Sequence, residues 1–223
     1  MAPSDTDQPS SQQPLYWSAN YQGSPASRRN YSEEIADEEN CSVWVTHLPA
    51  HCDSATLCHA LRGTGKIYSM FINPPTGQHC TSAAKIVFWT RQGVDKLMRL
   101  VASRQFRVGY NQPRVTPHRI KVSAQVPSRR SRAIEISGPI EIVNRGFLYA
   151  FFLERFWFDV ESVQTIGVYE GLSIMKWSFS CYRCQSQSAV RHIVNQKNRK
   201  DLTDIERCFW SQVYVRWLAD PCA

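Results

Sequence analysis

Long apolar runs are missing from this sequence. The longest, Phe147 to Leu153, falls far short of the roughly 20 residues that a membrane span requires, so no membrane partner is expected. The first 30 residues are polar and lack an apolar core segment, which predicts no secretory leader and a soluble intracellular protein, in nucleus or cytoplasm. Eight cysteines without such a leader read as free thiols in a reducing compartment. A nucleophile elbow, a phosphate-binding loop and an HExxH helix are absent too, so an enzyme is not expected. Carboxylates are scarce in one region above all: residues 40–126 hold Asp53 and Asp95 against 11 Lys and Arg, a net +9.

That imbalance divides the chain. Residues 1–39 carry 2 basic and 7 acidic side chains among Ser, Gln, Pro and Asn, with no hydrophobic period. They are expected to form a disordered acidic tail, with Tyr16, Trp17, Tyr21 and Tyr31 as isolated aromatics. The acidic end, Glu33 to Glu39, is placed to compete for the basic region that follows. Residues 127–132 read as a short basic linker, and residues 133–223 carry 10 basic and 10 acidic side chains. A strongly negative partner is therefore indicated for residues 40–126 alone.

Within that region the apolar residues fall into a definite order. Val43 and Val45 alternate with Trp44 and Thr46, predicting a strand at Ser42–Pro49 that buries the valines and presents the tryptophan. Asp53 caps a helix carrying Leu57, Ala60 and Leu61, which ends at Gly63-Thr64-Gly65. A second strand, Lys66–Ile72, is expected to put Ile67, Ser69 and Phe71 inward and Tyr68, Met70 and Ile72 outward. Asn73 to Gly77 is a turn, and Ala84, Ile86 and Phe88 mark the third strand. Val94, Leu97, Met98 and Val101 form a helical stripe, and Arg119–Ser123 is the expected fourth strand, with Ile120 and Val122 buried.

The order β-α-β-β-α-β resembles the RNA recognition motif, the RRM. Val43-Trp44-Val45-Thr46-His47-Leu48 matches the first signature strand of that family. Thr81 to Phe88 matches the core positions of the second signature but has Ala83 and Lys85 where the family has stacking aromatics. The chain also resembles short RRM proteins of filamentous fungi whose second half ends in a strand followed by Asp-Pro-Cys, here Asp220-Pro221-Cys222. The resemblance implies an α+β fold of two tandem ferredoxin-like modules, with an RNA-binding sheet face on residues 40–126. That face would carry Trp44, Thr46, Tyr68, Met70, Ala83, Lys85, Arg119 and Lys121. Single-stranded RNA is the implied partner, because its bases are free to stack on a flat sheet.

Residues 133–223 repeat the order. Strands are expected at Ala133–Ser137, Ser162–Tyr169, Leu172–Ser180 and Phe209–Leu218, with helices at Asn144–Phe156 and Cys181–Asn195. By strand parity Glu135 replaces the central tryptophan, so this degenerate module is expected to bind protein or to pack on the first. A second reading of the whole chain follows: a protein-interaction scaffold whose RRM-like sheets have lost nucleic acid. A narrower variant rests on Arg104-Gln105-Phe106, similar to the Arg-x-Phe loop by which some RRM relatives capture a tryptophan-bearing peptide. Cys181-Tyr182-Arg183-Cys184 is a lone CxxC, and His47, His51, Cys52, Cys58 and His59 lack a metal spacing. No cofactor and no metal is expected.

Overall fold

The computed structural model describes residues 31–223, so Tyr16, Trp17, Tyr21 and most of the expected tail lie outside the described residues. The first strand, β1 (Ser42–Leu48), buries Val43, Val45 and Leu48 completely. The register shifts between Val45 and Leu48, where His47 adopts φ 61°, and this bulge turns Leu48 back into the core. Then come α1 (Ser54–Ala60), β2 (Ile67–Asn73), β3 (Ser82–Phe88), α2 (Arg91–Ala102) and β4 (Arg114–Pro117). The Asp53 carboxylate accepts from the Thr56 amide 2.8 Å away and caps α1 as its sequence foretells. The sheet order is β2-β3-β1-β4, all neighbours antiparallel.

Two sequence expectations change here. The fourth strand is Arg114–Pro117, not Arg119–Ser123. Val115 is buried opposite Val45, and Pro117 is tolerated because β4 is an edge strand. The alternation at Ile120 and Val122 belongs to a segment beyond β4, tied down by Cys41 N–H donating to Val122 O at 2.8 Å. In β2 a register shift between Ile67 and Ser69 inverts the expected parity. Met70 is thus buried in the core, and Phe71 faces out opposite Lys85.

The second half adds β5 (Ala133–Pro139), α3 (Arg145–Leu153), β6 (Val160–Tyr169), β7 (Leu172–Phe179), α4 (Gln187–Lys197), α5 (Asp204–Ser211) and β8 (Tyr214–Trp217). Its sheet order, β6-β7-β5-β8, repeats the first, so the chain contains two tandem RRM-like, ferredoxin-like modules. Phe209 to Ser211, expected in the last strand, ends α5 instead. Thr203 and Glu206 cap that helix reciprocally, the T-x-x-E pattern of a helix start. Tyr182–Ser186 is an irregular turn rather than regular helix, with Arg183 extended and Cys184 at φ 65°.

The linker is not merely solvated. Arg132, within the expected basic linker, is completely buried between the modules. Its Nε lies 3.0 Å from Asp220 Oδ1, and its Nη1 donates to Phe179 O at 2.8 Å. Nη1 is also 2.6 Å from Glu161 Oε2, an ion pair outside hydrogen-bond geometry. Burial disfavours the guanidinium, but Cys58, Cys222, Asp220 and Glu161 together outweigh it and raise its pKa. The Asp-Pro-Cys terminus then reaches back to the first module: Asp220 Oδ2 accepts from Ile67 N–H at 3.0 Å, and Cys222 O accepts from Gly65 N–H at 2.7 Å. Cys222 Sγ lies 3.3 Å from Cys58 O. Ser54 and Arg62, on and just after α1, meet Asp159 and Glu161 at the start of β6.

Candidate nucleic-acid interface

The register places Phe71, Lys85, Trp44 and Thr116 in one row across the outer face of the first sheet. Alternation puts Ala83 and Thr46 on the same face, with Arg114 opposite Thr46. Trp44 is half-buried, its ring centroid 5.8 Å from that of His118, which follows β4. Lys85 is half-buried too. Desolvation, with Arg183 and Arg119 nearby, pushes its pKa down to about 8. Burial first, then the charges of Lys85 and Arg119, take His118 down to about 4, so its ring is neutral at pH 7.

The structure does not assemble all the expected face residues. Met70 is excluded by burial in the core. Tyr68 lies against Trp89 and Tyr182, with centroids at 5.6 Å and 5.9 Å. Tyr182 in turn meets Trp89 at 4.9 Å and Trp217 at 5.6 Å, so Tyr68 belongs to the aromatic joint between the modules. Arg119 and Lys121 follow β4 instead of lying in it; Arg119 is exposed near Lys85.

Lys121 is held by the acidic segment. Its Nζ lies 2.7 Å from Asp37 Oδ1 and donates to Ile35 O at 2.8 Å. Glu33 N–H donates to Lys121 O at 3.2 Å, and the Glu33 carboxylate accepts from Ser123 N–H at 2.9 Å. Thus Ser32–Glu39, assigned to the disordered tail by composition, docks along residues 119–123. A 3-10 turn at Asp37–Glu39 leads from it into β1.

Sequence parity missed Phe71 because the bulge in β2 carries no sequence mark. It also missed Trp157, whose ring centroid is 6.4 Å from that of Phe71 while 61% of its surface stays exposed. On the second sheet, Glu135 sits at the centre as expected, bound by Arg216 through two contacts at 2.6 Å and 2.8 Å, with Lys176 opposite. Phe106 is buried in the first core, so Arg104-Gln105-Phe106 does not present an aromatic. Cys181 is buried and Cys184 exposed. Among the described residues, no group of three His, Cys, Asp or Glu side chains is arranged to hold a metal, and no helix is long and apolar enough to cross a membrane.

No protein-family profile matches the sequence, and no curated protein does. Solved structures resembling the chain include the first two RRM domains of the yeast poly(U)-binding protein Pub1, at 12% identity over 80% of this chain and 99% of that one, with a TM-score of 0.31. RNA recognition domains 1 and 2 of Drosophila melanogaster Sex-lethal match at 12% identity over 80% and 100%, with a TM-score of 0.29. The RNA-binding domain of Hrp1 in complex with RNA matches at 12% over 81% and 98%, also with a TM-score of 0.29. The fold stands on the order and connectivity of the two sheets: tandem RRM-like modules.

Proposed function

We propose that the chain binds single-stranded RNA through the sheet face of its first module. The observation that carries this is the row Phe71–Lys85–Trp44, a cation between two partly open aromatic rings in a region of net +9. Each ring offers a base a stacking surface, and base–aromatic stacking contributes about 1–3 kcal/mol by alanine substitution. Trp44 is half-covered, so its contribution belongs near the low end of that range. Thr46, Ala83 and Arg114 border the same strip, with Arg119 beside it. Lys121 belongs to a second tier, engaged by Asp37 until the acidic segment moves. The activity is binding, with RNA as ligand and no group-transfer chemistry.

The test is a titration of fluorescein-labelled single-stranded RNA, followed by anisotropy, with the wild type and Trp44→Ala. Binding should weaken steeply between about 50 and 200 mM salt, and Trp44→Ala should lose roughly five- to tenfold in affinity. Absence of wild-type binding at the lower salt refutes the reading.

A second reading, the protein-interaction scaffold, draws on the second module. Ile166, Val168, Tyr169, Leu172 and Ile174 on the β6–β7 hairpin are exposed, and so is Tyr214 on β8. An apolar surface of this kind is a feature of protein partners. Binding there would be far less sensitive to salt than the RNA contact.

A further inference from the structure

The acidic segment Ser32–Glu39 lies along residues 119–123 as a strap held by polar contacts. Ser32 Oγ donates to Arg119 O at 3.4 Å and accepts from Lys121 N–H at 3.0 Å. The Glu33 carboxylate takes the Ser123 N–H at 2.9 Å, and the Lys121 ammonium is shared by the Asp37 carboxylate at 2.7 Å and Ile35 O at 2.8 Å. These are the contacts a phosphate oxygen makes with a protein: an ammonium and backbone N–H groups. The root of the strap is fixed. Asn40 is buried, with its Nδ2 donating to His118 O at 3.0 Å, and Arg91 Nη1 donates to Asp37 O at 2.6 Å. Of residues 32–39, Ile35 is partly buried and the others are exposed, so the strap has no deep apolar anchor. A segment held by exposed hydrogen bonds and one exposed ion pair opens at low cost. What it grips borders the candidate face. The ring of His118 is 5.8 Å from that of Trp44, and Lys121 follows three residues later, a span of at most about 11 Å.

We propose that Ser32–Glu39 is an autoinhibitory strap: it occupies Lys121 in the free protein, and an RNA strand stacked on Trp44 displaces it and takes Lys121 to a phosphate. This rests on the RNA reading of the first sheet and adds its regulation. The strap carries Glu33, Glu34, Asp37, Glu38 and Glu39, so while docked it also repels an approaching polyanion. An RNA that gains the stacking contacts overcomes this, whereas an anion attracted by charge alone does not. The device therefore favours unpaired nucleotides over non-specific binding.

The test uses the full chain and a fluorescein-labelled single-stranded RNA at one fixed low salt concentration, with wild type, Asp37→Ala, Glu38→Ala, Lys121→Gln, Trp44→Ala and the Asp37→Ala/Lys121→Gln double variant. Glu38 is the charge-matched control: it is exposed, and among the described residues its carboxylate is in no ion pair. Asp37→Ala should tighten binding about two- to fivefold, as expected for one exposed ion pair released, and Glu38→Ala clearly less. Lys121→Gln should cost more affinity in the Asp37→Ala background than in the wild type, because the carboxylate no longer competes for the ammonium there. Hydrogen exchange over residues 32–39 should rise when RNA saturates the wild type. If Trp44→Ala is impaired but Asp37→Ala and Glu38→Ala gain equally, the effect is one of overall charge, and the proposal fails with the RNA reading intact. Unchanged exchange over residues 32–39 in the saturated complex also overturns it. If neither the wild type nor Asp37→Ala binds, both readings fall together.

Discussion

Lys85→Met is expected to stabilise the protein while weakening the proposed contact with RNA. The folded chain holds the Lys85 ammonium near Arg183 and Arg119 in a partly dry setting, and lowers its pKa from 10.5 to about 8. Below pH 8 the charge is present in both folded and unfolded states, and the folded state bears the full penalty. Between pH 8 and 10.5 the folded chain has released a proton that the unfolded chain still holds, so the penalty fades as pH rises. The drop corresponds to at most about 3 kcal/mol at roughly 1.4 kcal/mol per tenfold. Partial exposure and screening reduce this to about 1–2 kcal/mol. Methionine keeps most of the aliphatic stem and removes the charge. At pH 7 the variant should therefore melt roughly 2–8 °C higher, and urea unfolding should show the gain shrinking towards zero by about pH 10. A variant less stable than the wild type, or a gain independent of pH, would show that Lys85 is not held at an electrostatic cost.

The inter-module cluster is sensitive in the opposite sense. Arg132→Met leaves Asp220 buried without its cation and Glu161 with Arg62 alone, and should destabilise the chain by about 3–5 kcal/mol, measured by urea unfolding at pH 7. Gly93→Ala tests the packing of α2 on the first sheet. An added Cβ would lie 2.5 Å from the Phe88 ring, so about 1–3 kcal/mol of destabilisation is expected; an unchanged thermal midpoint would contradict the tight approach.

Periodicity carried much of the fold. The alternation of Val43 and Val45 identified β1 and its outward tryptophan, and the spacing of Val94, Leu97 and Met98 identified α2, because burial of one face imposes those periods. What failed were features set by partners distant in sequence. A bulge after Ile67 exchanged Met70 for Phe71 on the outer face of the sheet, and nothing local in the strand marks it. Arg132 read as a linker cation because its partners, Glu161 and Asp220, lie far along the chain. Tyr68 read as a stacking platform because parity gives a side chain's direction without giving the module packed against it. The helix before β8 was legible after all: Thr203-Asp204-Ile205-Glu206 is a capping box, outweighed by the apolar residues that follow.

The candidate site was half legible on the same grounds. Trp44 and Lys85 came from strand parity and the resemblance of β1 to a signature strand. Trp157 had no such mark, since only the folded arrangement of the modules brings it near the first sheet. Likewise the hold of Asp37 on Lys121 needed the path of residues 119–123, although the acidic run was visible as a competitor.

The most direct measurement is ultraviolet crosslinking of single-stranded RNA to the full chain, with the adducts mapped by mass spectrometry. Adducts on the peptides carrying Trp44, Phe71 and Lys85 are the expected result. Adducts confined to other surfaces, such as the β6–β7 hairpin or the exposed helices, would contradict the account.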